Sequence, residues 1–467
     1  MGSEVETENS RLRQIILIVG VGTFMAALDA SVVNIALPSI SKYYGEPLYI
    51  IEWVIMSYLL VISSLLLTYG RLGDMYGHKK VYIGGFAVFS LGSLMCSLAP
   101  NILALILSRM AQALGAGMIM SMGPAIITDF APPQSRGKAL GVNATAVAVA
   151  SATGPVAGGF LTSHFGWQSI FYINIPIGII GTILAYKIIP DTWKREVQTF
   201  DIKGAVTVFF ALISILLPLS YIEKYGWRNA YIMAFLLLGL LLLFLFIHIE
   251  KMARFPMVDL KLFQNRLFTM SNLSALINYM SQFSLMFLMP FYLQQLRGLP
   301  TSRAGLMLIP MPIATMIVAP ISGVLSDRFD VRYISTTGMG LISVGIFLLS
   351  RLGIASSDFY IMAVLVLTGV GSGLFQTPNN SAIMGSVPGN HRGIASGMLA
   401  TMRNIGMVLG VAVSGAIFSS RMDYLKTVLA SEAQAFLGAL SFTFMIAALL
   451  AAVAVLTSMA RGTSRRE

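Results

Sequence analysis

Cysteine, histidine and charge are all scarce in this chain of 467 residues, and each scarcity removes a class of function. Cys96 is the only cysteine, so no intrachain disulfide can form; His78, His164, His248 and His391 stand far apart, without metal-ligand spacing. Redox and metal chemistry have no visible basis, and neither has an enzyme, since no nucleophile constellation is present. Charged residues make up 11% of the chain against 56% hydrophobic residues, and the mean hydropathy is +0.78. A chain this apolar has lipid as its solvent, with no stretch left for a soluble domain of ordinary size. The charge rings that line a channel are missing too.

What is present is a series of about fourteen apolar runs, each long enough to cross a bilayer as a helix. They fall at roughly 14–37, 50–69, 81–99, 101–128, 138–163, 169–190 and 203–221, then 230–249, 268–293, 303–325, 333–353, 358–386, 393–419 and 435–459. The first run carries Asp29 and is followed almost at once by the second, which argues for a retained helix rather than a cleaved signal peptide. The net charge of +11 has a membrane explanation rather than a nucleic-acid one. Lys and Arg concentrate in alternate loops, from Arg11, Arg71, Lys79, Arg136 and Lys194 through Lys251, Arg328, Arg392 and Arg461. By the positive-inside rule both termini are cytoplasmic, in a multi-pass protein of the cell membrane.

The chain also repeats itself. Arg136-Gly137-Lys138-Ala139-Leu140-Gly141 returns as Arg392-Gly393-Ile394-Ala395-Ser396-Gly397, and without a gap Gly115/Gly371, Gly117/Gly373, Pro132/Pro388, Thr145/Thr401 and Gly154/Gly410 stay in register. Gly70, Leu72 and Asp74 are echoed by Gly323, Leu325 and Asp327. Parallel repeats of this kind build a transporter that rocks about a midplane site. The expected architecture is all-α: a tail at 1–13, a six-helix bundle at 14–190, a linker with two inserted helices at 191–255, a second six-helix bundle at 256–460 and a tail at 461–467.

Several motifs carry a family resemblance over almost the whole chain. Gly70-Arg71-Leu72-Gly73-Asp74-Met75-Tyr76-Gly77-His78-Lys79-Lys80 resembles the major facilitator signature between helices 2 and 3. Arg109-Met110-Ala111-Gln112-Ala113-Leu114-Gly115-Ala116-Gly117 is similar to the helix 4 motif, with Ala113 where glycine is usual, and Gly154-Pro155-Val156-Ala157-Gly158-Gly159 is similar to the helix 5 motif of exporters. Leu28-Asp29-Ala30-Ser31-Val32-Val33-Asn34-Ile35-Ala36-Leu37-Pro38 and Phe171-Tyr172-Ile173-Asn174-Ile175-Pro176-Ile177-Gly178 resemble signatures of the fourteen-helix drug:proton antiporter branch. The resemblance implies a major facilitator fold and a monomeric antiporter that takes a proton gradient as its energy source, without a cofactor. Its partners are the bilayer, protons and a small organic cargo, expected to be lipophilic. The alternative is an importer, or a carrier of one specific metabolite, on the same fold.

Three charges lie deep in these runs: Asp29, Arg109 and Arg403. At 1.5 Å per residue Asp29 and Arg109 both sit about 12 Å below the outer surface, so they can pair if the first and fourth spans adjoin. The functional reading makes Asp29 the proton carrier in a water-accessible chamber, with Arg109 or cargo competing for it; the alternative is mutual neutralisation that fixes packing. Arg403, near the midplane, reads either as a cavity cation or as a donor to carbonyls. The chamber wall is expected from Asn34, Trp53, Tyr58 and Gln112 in the first half and Asn278, Tyr279, Gln282, Gln376, Asn379 and Asn380 in the second, each of which could instead serve an interhelical hydrogen bond. An inner gate is expected at Gly70, Gly73, Asp74 and Gly77, with Asp74 capping a helix of the next bundle or latching to Arg136, Asp129 as a third member and Asp327 with Arg328 as the weaker copy. Gly154, Pro155, Gly158 and Gly159 are expected to thin the fifth span and seal the outer side.

Overall fold

The computed structural model describes residues 2–132, 136–191, 202–225, 229–252, 260–388 and 392–462. It is all helical there, because inside a bilayer each backbone N–H and C=O has to be satisfied within its own segment. The first half holds α1 (Gly2–Tyr44), α2 (Leu48–Ile51), α3 (Trp53–Tyr76), α4 (His78–Ser97), α5 (Ile102–Phe130), α6 (Arg136–Phe165), α7 (Ser169–Tyr172) and α8 (Asn174–Ile188). Next come α9 (Ile202–Tyr225) and α10 (Ala230–Met252). The second half holds α11 (Arg266–Phe291), α12 (Thr301–Leu308), α13 (Pro310–Arg328), α14 (Val331–Leu349), α15 (Asp358–Gly385), α16 (Arg392–Val428) and α17 (Glu432–Ala460).

Twelve of the spans so formed are long and apolar enough to cross a membrane on length and composition. The two that complete fourteen are α9, whose described apolar stretch is Val206–Pro218, and α11. The 26 residues of α11 include Asn272, Asn278, Gln282 and several serines, nearly all buried. Its polarity is turned toward protein rather than lipid. The second expected span is interrupted at Glu52, where α2 passes into α3.

Ends are set by local chemistry. Asn101 and Asp330 accept the Ala104 and Arg332 backbone N–H groups at 2.8 and 2.9 Å, capping α5 and α14. Gly77, at φ +95°, both ends α3 and starts α4, a conformation an L side chain would strain.

The sequence repeat is also a packing repeat. A Cβ on Gly115 would stand 2.6 Å from the Gly85 carbonyl oxygen of α4, and one on Gly371 would stand 2.7 Å from that of Gly338 in α14. Gly117 lies against Tyr69 of α3, and Gly373 against Val318 of α13. Gly154 meets Ser31 of α1, and Gly410 comes within 2.5 Å of the Met280 carbonyl of α11, again measured from a built Cβ. Each half therefore uses small residues at matched positions to bring equivalent helix backbones together.

The halves meet along two seams, α6 with α12 and α3 with α16. The end of the molecule away from the chain termini, called distal here, is tied shut. Gln294 Nε2 donates to the Ile35 carbonyl at 2.8 Å, the Ser302 N–H donates to Ser163 Oγ at 2.9 Å, and the Ser39 and Thr301 hydroxyls lie 3.4 Å apart. The α9–α10 pair packs outside the second seam, with α9 touching both α3 and α16.

Candidate transport site

Asp29 comes from the middle of α1 and Arg109 from α5. The guanidinium Nη1 donates to Asp29 Oδ2 at 2.5 Å, with Asp29 fully buried and Arg109 1% exposed. One turn along α5, Gln112 donates from Nε2 to Asp29 Oδ1 at 2.8 Å and to Ser93 Oγ of α4 at 2.7 Å. Asn174, the first residue of α8, donates to the same Oδ1 at 2.8 Å. On the other side, Arg109 Nε donates to the Val54 carbonyl at 3.1 Å, and its plane lies 3.9 Å from the Tyr58 ring centroid. A buried ion pair is tolerable only when its remaining donors and acceptors are satisfied, and Val54 of α3, Gln112 of α5 and Asn174 of α8 supply that here.

The expected pairing of Asp29 with Arg109 is therefore present, but the chamber exposure expected for Asp29 is not found in this conformation. The carboxylate is enclosed within the first half, because α4 and α8 contribute Ser93 and Asn174 and cover it. Gln112 and Tyr58 are corrected with it. Both were expected on the chamber wall, and both are fully enclosed in this network, Tyr58 with its hydroxyl 3.4 Å from the Ala26 carbonyl. Asn174 was missed as a participant, although it stands inside a quoted motif; only packing shows that it reaches α1.

The second half carries a polar ladder. Gln282 Nε2 donates to Asn278 Oδ1 at 2.7 Å, the Ser372 hydroxyl donates to Gln282 Oε1 at 3.2 Å, and Gln376 Nε2 donates to Ser372 Oγ at 2.7 Å. It joins α11 to α15, with Asn278 and Gln282 buried and Gln376 half-buried. Asn379 is fully buried and donates to the Ser271 carbonyl at 3.1 Å, whereas Asn380, one residue on, is exposed. Asn379 thus serves helix packing rather than the chamber wall. Arg403, half-buried on α16, bonds the Tyr279 hydroxyl of α11. In the first half, Asn34 is buried and donates to the Ala30 carbonyl of its own helix at 3.2 Å, and Trp53 is half-buried.

With that geometry in hand, a family model for the Major Facilitator Superfamily matches residues 19–254, 202–411 and 271–466. The chain belongs to the major facilitator superfamily. It is similar to the riboflavin transporter RibZ of Clostridioides difficile, 36% identical over 88% of this chain and 89% of that protein. It is 30% identical to the multidrug resistance protein Stp of Mycobacterium tuberculosis over 86% of this chain and 75% of Stp. The multidrug transporter protein MdtP of Bacillus subtilis is also 30% identical, over 91% and 79% of the two chains. Among solved structures, an inward-facing, unoccupied bacterial homologue of the human lysosomal transporter Spinster superposes with a TM-score of 0.70, at 15% identity and 97% coverage of both chains. That likeness concerns the fold. This major facilitator protein is a multi-pass membrane transporter with multidrug-resistance transporters among its relatives, not an enzyme, and it works in a bilayer on a small molecule.

The superfamily signature at the α3–α4 turn is partly described. Gly73 lies close to His78 and Met122, and the His78 ring nitrogen Nδ1 is 2.6 Å from Asp129 Oδ2 at the end of α5. Asp129 therefore meets His78, a partner not expected from the sequence. The side chains of Asp74, Arg136 and Asp327 lie outside the described residues, and of Gly70 only its place in α3 is described.

At the distal seam the α6 motif does press backbones together. Gly158 packs on Val32 and Ile35 of α1, a Cβ on Gly159 would stand 2.7 Å from the Thr301 carbonyl, and Pro155 meets Gly305 of α12. Beside it, α6 and α13 enclose an apolar groove of about 600 Å³ lined by Val156, Phe160, Ile313 and Met316 among others.

Sequence reasoning also missed Glu52. This carboxylate is fully buried in the other seam, lying on Gly415 of α16.

Proposed function

We propose that this transporter is a proton-coupled antiporter that expels small organic compounds by alternating access, with both termini cytoplasmic and the distal end external. The observation that supports it most is the acid held inside the first half. Asp29 is fixed by Arg109, Gln112 and Asn174, donors from two helices that must move relative to α1 for a proton to reach Oδ2. Protonation and rearrangement of that half are then one event, which is what coupling requires. The energy source is the proton gradient and no cofactor takes part. The functional unit is a single chain of two six-helix bundles, at 14–190 and 256–460, with two helices inserted at 191–255 and short tails at either end.

The gate residues complete the cycle. Gly70, Gly73, Asp74 and Gly77, with Arg136 and Asp129, hold the cytoplasmic side; Gly154, Pro155, Gly158 and Gly159 seal the external side; Asp327 is the second half's copy. Cargo occupies the space between the halves at mid-depth, reached by Arg403, Tyr279, Gln376, Asn34 and Trp53.

A second reading has its own support. The match to RibZ runs nearly the full length of both proteins, which favours one heterocyclic metabolite of flavin type as cargo. Both readings are tested in proteoliposomes under an imposed pH gradient, with riboflavin and a panel of lipophilic drugs as cargo. Proton-driven movement of one of them by the wild type, lost in Asp29→Asn, is expected. Undiminished gradient-driven transport by Asp29→Asn would remove the coupling role; transport in the opposite sense to the proton-antiport direction would make the protein an importer.

A further inference from the structure

Asp29, Glu52, Arg109 and Arg403 are charged side chains set within the apolar runs of this chain. Three of them are 1% exposed or less. Asp29 has both carboxylate oxygens engaged, Oδ2 by Arg109 and Oδ1 by Gln112 and Asn174. Glu52 is closed into the α3–α16 seam against Gly415. Asp29 is enclosed within the first half, Glu52 lies buried in a helix seam, and the Arg109 charge is cancelled by Asp29 at contact distance.

Arg403 differs from all three. It is half-buried, about eleven residues into α16 and hence near the midplane, and among the described residues no carboxylate is paired with it. Its identified partner is the neutral hydroxyl of Tyr279. Partial exposure to hydrocarbon at that depth is costly for a guanidinium, whereas exposure to a water-filled chamber between the halves is not. The ladder that joins α11, the helix of Tyr279, to α15 is uncharged: Asn278, Gln282, Ser372 and Gln376 offer amides and a hydroxyl. Arg403 is thus a half-buried positive charge with no carboxylate paired to it among the described residues.

A fixed cation in a site with low-dielectric walls repels like charge and attracts opposite charge far more strongly than in bulk water. We infer that the cargo of this transporter is anionic or neutral and rich in hydrogen-bond acceptors, that lipophilic cations are disfavoured, and that Arg403 sets this preference. The inference rests on the transport reading only in taking the space between the halves as the cargo site; it needs neither proton coupling nor a direction of transport. Tyr279 is the positioning residue that holds the guanidinium toward α11, while Gln376, as a half-buried amide, is placed to meet an acceptor or donor on the cargo.

The test uses two xanthene dyes of similar size and opposite charge, anionic fluorescein and cationic rhodamine 123. Each is bound to the purified full-length protein in detergent and followed by fluorescence polarisation at neutral pH. The wild type is expected to bind fluorescein at least about tenfold more tightly than rhodamine 123. Arg403→Gln should bring the ratio to within about threefold, and Arg403→Lys should keep it near the wild-type value. Size-exclusion profile and melting temperature establish that both variants are folded. Equal or tighter binding of rhodamine 123 by the wild type overturns the inference, as does an unchanged ratio in Arg403→Gln or the absence of binding of either dye. If the charge ratio behaves as expected while pH-driven transport in proteoliposomes fails, the antiport reading falls and the cargo class stands.

Discussion

Gly415 of α16 supplies the bare patch of backbone on which the Glu52 carboxylate rests, so that a methyl group there and the carboxylate could not both keep their places. The contact joins one half of the transporter to the other at the α3–α16 seam.

From it follows the first expectation, that Gly415→Ala pries the seam apart. Overpacking a tight contact costs about 1–3 kcal/mol, which at 1.4 kcal/mol per decade is roughly a tenfold change in the closed-to-open ratio. Thiol labelling of a cysteine placed at Ser302, in a Cys96→Ala background, should become faster by about that factor. Unchanged labelling means that the seam does not govern distal access.

For the buried pair, removal of one partner should be far worse than removal of both. Arg109→Met leaves a carboxylate without its counter-charge and is expected to cost about 3–5 kcal/mol, whereas the double variant Asp29→Asn with Arg109→Met should recover much of that. Thermal unfolding in detergent of both single variants and the double variant reads the coupling directly. Additive losses would mean that the two side chains do not act as a pair.

Gly159→Val should lock the protein out of its distally closed state, because the added side chain meets the Thr301 and Ser302 backbone rather than a side chain that could turn aside. Cargo movement in proteoliposomes should fall at least about tenfold while the purified protein still folds. The same substitution at Gly141, where nothing stands within 4 Å, should be nearly silent and serves as the comparison.

His78 and Asp129 are each about a quarter to a third exposed, at 24% and 32%, so their bond should be worth no more than about 1 kcal/mol. Each sits at the helix end whose dipole disfavours its charge, His78 opening α4 and Asp129 closing α5, and each compensates the other. His78→Gln and Asp129→Asn should therefore lower the melting temperature slightly and non-additively, with His78→Arg neutral. A loss of many degrees in either single variant would mark a larger structural role than the pair provides.

The sequence carried the positions of the spans because period, length and loop charge are one-dimensional signals. It carried the Asp29–Arg109 pairing because depth in a membrane can be counted along a helix. The enclosure of that pair was not legible, since it depends on Asn174 and Ser93, whose approach to α1 is decided by how α4 and α8 pack. Glu52 escaped for a related reason: it stands near the start of a run, and only the arrival of α16 buries it. The glycines of the repeat, by contrast, could be paired by register alone, and the structure sets each pair against equivalent helices of the two halves.

The inserted helices sit where the machinery must flex. Because α9 leans on α3 and on α16 at once, with the Tyr221 ring set edge-on to Tyr49, centroids 5.6 Å apart, at its distal end, any swing that parts those two helices has to drag or shed it. The inserted pair is then a strap across that seam, and the slack in the strap limits how far α3 and α16 can part.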